Sequence, residues 1–283
     1  MSEDSLALQI RKDLYWVARS PSLLGDDLTR FDESLETVRV DKILEFFESP
    51  GHFRVGRYFE SLVSALIANS PDWALAGSNL VVRDGKRTIG EIDFLMTDAS
   101  GHTFQLEVAV KFYLCGEFEE EFECNFIGPN ARDTLSRKRA RLLDHQLRLG
   151  ERFGTGICSD LTGSGWLTRG VIFYPFEGDF GSGNDSLLSP GHSRGLWVRA
   201  SELERFFSSQ EPSGASTFRL LRKPFWLSGD WIDPVDFDRE AMISWCRKEV
   251  TAQNRPALFA SGSEWDNRLF VVPPGWPSED SVR

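Results

Sequence analysis

The stretch GEIDFLMTDASGHTFQLEVAVKFYL, Gly90 to Leu114, decides how the chain folds. In its second half Phe104, Leu106, Val108, Val110, Phe112 and Leu114 alternate with Thr103, Gln105, Glu107, Ala109, Lys111 and Tyr113, the period-two pattern of a strand with one apolar face. In its first half Gly90, Ile92, Phe94 and Met96 share a face opposite Ile89, Glu91, Asp93 and Leu95. A three-residue turn, Ala99-Ser100-Gly101, aligns the two apolar faces, places Gly101 where a left-handed residue is needed and pairs Asp98 with His102. The predicted register then sets Met96 against Phe104, Phe94 against Leu106, Ile92 against Val108 and Asp93 against Glu107. A slip of one residue would turn apolar side chains to the wrong face.

Two carboxylates opposite each other on neighbouring strands repel, by a few tenths of a kcal/mol to about 1 kcal/mol, unless something positive lies between them. A divalent cation is one solution, since Mg²⁺ is held by one or two protein carboxylates together with waters and substrate phosphates. The other is a solvated strand face on which Glu91 and Lys111, diagonal neighbours, form a weak ion pair.

Working outward, helical spacing governs the first seventy residues: Leu6, Leu8, Ile10, Leu14 and Val17, then Val40, Ile43, Leu44 and Phe47, then Val55, Phe59, Leu62, Val63 and Leu66. Strands are expected near Ser78 to Arg83, Thr88 to Asp98, His102 to Leu114 and Thr168 to Phe176, with a helix from Ala131 to Leu149 closed by Gly150. GLWVRASELERFF reads as strand, Ser201 cap and helix. A hairpin near Phe218 to Leu227 and a helix from Pro234 to Val250 follow. The predicted fold class is α/β, one domain over 1–283: a helical segment 1–50, a core of about 53–176 with a central mixed sheet, an antiparallel hairpin and flanking helices, and a less regular C-terminal extension, 177–283.

With 41% hydrophobic and 12% aromatic residues the 283-residue chain has enough apolar surface for a sizeable core. Its formal charge of -11 argues against a protein coated in nucleic acid but leaves room for a local basic groove. Ala131 to Arg152 supplies one, with Arg132, Arg137, Lys138, Arg139, Arg141, Arg148 and Arg152 against Asp133, Asp144 and Glu151. The acidic run Glu117 to Glu123 follows the hairpin, and the Gly-rich segment Gly181 to Asp185 reads as a loop. Cys115, Cys124, Cys158 and Cys246 form no CxxC or finger spacing and are expected as reduced thiols. His52, His102, His145 and His192 show no zinc-site spacing. The absence of a secretion signal and of a membrane-spanning apolar run makes the cytoplasm the expected location.

An acid on one strand, then Glu107 on the next with Lys111 on the same face, resembles the core of the PD-(D/E)XK nuclease superfamily. More specifically, GRYFE at Gly56 to Glu60, GEIDFL at Gly90 to Leu95, LEVAVKFYL at Leu106 to Leu114, IGPNARDTL at Ile127 to Leu135 and HQL at His145 to Leu147 resemble the bacterial DUF1853 family, which is assigned to that superfamily. The resemblance covers most of the chain. It implies a restriction-endonuclease-like core and a site where one or two Mg²⁺ ions, or Mn²⁺, act on a DNA or RNA phosphodiester. Asp93 and Glu107 would be metal ligands, with Glu60 completing the set from the preceding helix. The superfamily lysine sits two residues after the Glu, where this chain has Ala109, and the Cα of Lys111 lies about 13 Å from that of Glu107 rather than about 7 Å. A substitute is available from the next helix, where Leu135, Lys138, Leu142, Gln146 and Leu149 form one stripe. Lys111, Lys138 and Gln146 are therefore the catalytic candidates. The alternative is a member that keeps the fold as a nucleic-acid or protein binding module, for which Ala109 and the acidic charge speak.

Overall fold

The Ala99-Ser100-Gly101 turn closes as its sequence requires. Gly101 takes φ 85, its N–H donates to Asp98 O at 3.0 Å, and Asp98 N–H donates to His102 O at 2.9 Å. Asp98 Oδ1 accepts from the His102 and Ser100 amides, each at 2.9 Å. These bonds, that from the His102 amide foremost, hold the Asp98 carboxyl below its ordinary range. The flanking ladder pairs Thr97 with Thr103, Met96 with Phe104, Leu95 with Gln105 and Phe94 with Leu106, the register that the apolar faces demand.

A computed structural model describes residues 3–25, 27–29, 31, 35–48, 54–116, 126–131, 133–153, 161–177, 188–209, 216–262 and 266–277. Ser49 to Gly51, His52, the run Glu117 to Glu123, Cys124, Arg132, Cys158 and the segment Gly181 to Asp185 lie outside them. In chain order the elements are α1 (Glu3–Arg19), α2 (Asp41–Glu48), α3 (Val55–Ala68), β1 (Trp73–Asp84), β2 (Arg87–Asp98), β3 (Thr103–Cys115), β4 (Phe126–Ile127), α4 (Leu135–Asp144), α5 (Leu149–Phe153), β5 (Leu161–Pro175), β6 (Ser193–Arg199), α6 (Leu203–Ser209), β7 (Phe218–Leu221), β8 (Val235–Phe237), α7 (Arg239–Cys246), β9 (Ala257–Ser261) and β10 (Asn267–Val272). The strands form one ten-stranded mixed sheet, β1-β2-β3-β5-β6-β10-β9-β7-β8 with β4 on β3, and helices flank it. By contacts the chain divides into two compact units, Met1–Lys111 with Arg137–Arg169, and Phe112–Ser136 with Gly170–Arg283.

In the first unit α1 buries Leu6, Ile10, Leu14 and Val17, whereas Leu8, off that stripe, is 51% exposed. α1 is tied to α3 by a buried polar knot: Tyr58 Oη donates to Asp13 Oδ2 at 2.8 Å and Gln9 Nε2 to the same oxygen at 2.9 Å. α3 buries Tyr58, Phe59, Leu62, Val63 and Leu66, which leaves Glu60 half-buried at the margin of that face. β1 and β2 pair antiparallel from Trp73/Asp98 to Asp84/Arg87, and Val82, Ile92, Leu95 and Leu149 form an apolar cluster on them.

The helix expected over Ala131 to Leu149 is in fact three pieces. Ala131 takes φ 52, a left-handed conformation that no helix can contain, so α4 starts at Leu135. At His145, with φ -124, the helix ends, a 3₁₀ turn carries Gln146–Arg148, and α5 begins at Leu149. Gly150 therefore lies inside a helix rather than closing one.

In the second unit β5 pairs parallel with β6 and β6 with β10, while β10-β9, β9-β7 and β7-β8 are antiparallel. Phe206, Phe207, Phe218, Met242, Phe259 and Val271 lie in its core. The C-terminal extension is thus regular, contrary to the sequence expectation. β7 finds its partners in β8 and β9 rather than in a local hairpin to Leu227, and Val235 to Phe237 is strand, so the last helix begins at Arg239. Asp238 caps it, its Oδ1 accepting from Ala241 N at 2.8 Å. Ser201 lies within a 3₁₀ turn, Ala200–Glu202, ahead of α6.

Cys115 is disulfide-bonded, which corrects the expectation of four reduced thiols. Sequence spacing gives no view of which thiols meet through space. Cys246 is free, and burial pushes its thiol up to about 12. Among the described residues no helix is long and apolar enough to cross a membrane.

Candidate functional site

Asp93 on β2 and Glu107 on β3 meet at the point where the hairpin ladder stops. Just beyond the Phe94/Leu106 pair, Val108 N–H donates to Asp93 Oδ2, at 2.9 Å. The two carboxyls act on each other electrostatically. Glu107 has 0% of its surface exposed, which rules out the solvated strand face for this residue. Burial first, and the Asp93 charge second, push Glu107 from an ordinary 4.5 up to about 8. Burial also raises Asp93, against the lowering effect of the Val108 amide.

Glu60 reaches the same cluster from α3. Burial, then the charge of Asp93, push it up to about 7, and Arg57 and Lys111 pull it down. Lys111 lowers Asp93 as well. Lys138, half-buried on α4, is not among the charges that dominate any of the three carboxyls. Glu91 adds negative charge to the cluster.

Gln146 lies in the 3₁₀ turn and donates through Nε2 to Glu107 Oε2 at 3.0 Å. The other oxygen, Oε1, accepts from Gln105 Nε2 at 2.8 Å. Both oxygens of the buried carboxyl thus carry an amide donor. The continuous helical stripe that linked Lys138 to Gln146 does not exist, because the helix breaks between them. Two participants escaped the sequence: Arg57, three residues before Glu60 and so on its side of α3, and Gln105, two residues before Glu107 and so on its face of β3. Both spacings were legible; what no spacing shows is that their polar ends converge.

Among the described residues no group of three or more His, Cys, Asp or Glu side chains is gathered tightly enough to hold a metal ion. What converges is a pair, Asp93 and Glu107, with Glu60 close enough to feel the charge of Asp93. Hard carboxylate oxygens without sulfur or imidazole suit Mg²⁺ or Mn²⁺ and the low protein-ligand count those ions accept. Exposed Arg137, Arg141, Arg148 and Arg152 belong to the same unit.

No curated protein and no solved structure matches the chain. The family model described as Domain of unknown function (DUF1853) matches residues 12–272, nearly the full length, and the chain belongs to the DUF1853 family.

Proposed function

We propose that this chain is a Mg²⁺- or Mn²⁺-dependent nuclease-like protein of the PD-(D/E)XK type, with a restriction-endonuclease-like core, that hydrolyses nucleic-acid phosphodiesters. The observation that carries the proposal is the buried Asp93–Glu107 carboxyl pair at the end of the hairpin ladder. No gain in folding follows from burying two acids side by side, and perturbed carboxyls of this kind concentrate at functional sites. Asp93 and Glu107 are the proposed ligands, and when bound a divalent ion supplies Lewis-acid polarisation of the phosphodiester and lowers the pKa of water. Gln146 orients Glu107. Lys111, whose charge acts on Asp93 and Glu60, is the proposed partner for phosphate. Glu60, pushed up to about 7, is tuned to exchange a proton with water near neutral pH. The exposed arginines of the α4–α5 segment give a track for the nucleic-acid backbone.

A second proposal, a non-catalytic binding module on the same fold, is favoured by Ala109 at the superfamily lysine position and by the burial that raises Glu107 to about 8 and so disfavours its charged form. Cleavage of DNA and RNA with Mg²⁺ or Mn²⁺ separates the two, comparing wild type with Asp93→Ala and Glu107→Ala. Hydrolysis predicts a loss of roughly 10²-fold or more in each variant. Equal residual cleavage in all three proteins is contamination and overturns it, and binding without cleavage in wild type supports the module.

A further inference from the structure

Gln105 is fully buried, and every polar atom of its side chain is engaged. Its Nε2 donates to Glu107 Oε1 at 2.8 Å and to Gln146 O at 2.7 Å, and its Oε1 accepts from Gly150 N–H at 2.9 Å. Gln146 O and Gly150 N–H are the two ends of what would be one i to i+4 helical hydrogen bond. The Gln105 amide has been inserted between them, a recognised cause of helix breaks. The insertion opens the helix where Gln146 must turn towards Glu107. It also leaves no room at 150: a Cβ there would lie 2.5 Å from Gln105 Oε1 and 2.7 Å from Leu161 Cδ2, so glycine is required by these contacts and not by a helix end.

We propose that Gln105 is a positioning residue for the cation site, holding the Glu107 carboxyl by one N–H while its other two hydrogen bonds keep open the backbone gap that presents Gln146. This rests on Asp93 and Glu107 being metal ligands. Polar groups that orient ligands in this way typically contribute 10–100-fold to metal affinity. Neither Gln105 nor Gly150 touches the metal or the substrate in this scheme. They act through Glu107 and Gln146.

The test titrates the full-length protein with Mn²⁺, following free Mn²⁺ by electron paramagnetic resonance, in wild type, Gln105→Met, Gly150→Ala and Asp93→Ala. The backbone amide signal of position 150 is followed in parallel by ¹H–¹⁵N NMR. Gln105→Met keeps the volume but lacks the amide, whereas Gly150→Ala keeps the amide but presses on it and on Leu161, so the effect the two variants share is the one on the Gln105 contact. Wild type binds Mn²⁺, Asp93→Ala does not, and both Gln105→Met and Gly150→Ala bind roughly 10–100-fold more weakly with folded spectra and a shifted amide at position 150. Wild-type affinity in both variants despite a shifted amide overturns the positioning role while leaving the metal site standing. No Mn²⁺ binding in wild type overturns the metal site itself, and the positioning role with it.

Discussion

Glu107 joins stability to the proposed function at a single residue. In the unfolded chain its carboxyl releases its proton near 4.5, and in the folded protein near 8. Between those values the folded state binds the extra proton, so this contribution to stability is fully present below about pH 4.5 and is lost as pH rises through 8. Glu60, raised to about 7, acts with the same sign. The metal-free protein should therefore melt at progressively lower temperature from pH 5 to pH 8.5, and Glu107→Gln should flatten part of that fall, as read by thermal unfolding across the range. Identical slopes in the two proteins would show that Glu107 titrates normally. Asp93, Glu107 and Glu60 were legible because strand register and helical spacing place them. Gln105 was not, since its role depends on a backbone gap forty residues away that no local pattern announces.

At the scale of elements, the hairpin register was legible from the turn to Phe94/Leu106, while the expected Asp93/Glu107 and Ile92/Val108 ladder pairs and the following helix were not. Alternating apolar residues and Gly101 fix the first, because both are properties of neighbours in sequence. The helix carries a correct 3.6-residue stripe from Leu135 to Leu149, yet it breaks at His145, whose Nε2 lies 3.1 Å from Ile89 O, and at the Gln105 insertion. Tertiary contacts overrode a sound local pattern. α5 is then docked on β2 so closely that a Cβ on Gly90 would stand 2.7 Å from Leu149 Cδ1. Gly90→Ala should cost about 1–3 kcal/mol by overpacking and Leu149→Ala about 2–5 kcal/mol by leaving a cavity. The double variant should cost less than the sum, because the second change makes room for the first. Urea unfolding of the four proteins measures this, and additivity within about 0.5 kcal/mol would mean the two side chains do not meet.

Across the whole molecule, the mixed α/β class and the N-terminal helices followed from composition and periodicity, whereas the regular C-terminal strands did not. β8 has 3 residues and β7 has 4, and their partners lie far along the chain, so neither a long alternating run nor a tight turn marks them. β5, β6 and β10 pair parallel, which requires distant segments and leaves no hairpin signature. The candidate site escapes this difficulty because it is built from one hairpin, the helix before it and the segment after it, all within the first unit. Its central feature is a pair of buried acids, Asp93 and Glu107, and the central proposal is that they bind a cation. Crystals of the full chain soaked in Mn²⁺ and measured by anomalous diffraction at the manganese edge test this most directly. An anomalous peak within coordination distance of Asp93 and Glu107, absent in Asp93→Ala crystals, is the predicted result; manganese sites elsewhere with none between these two carboxylates would contradict it.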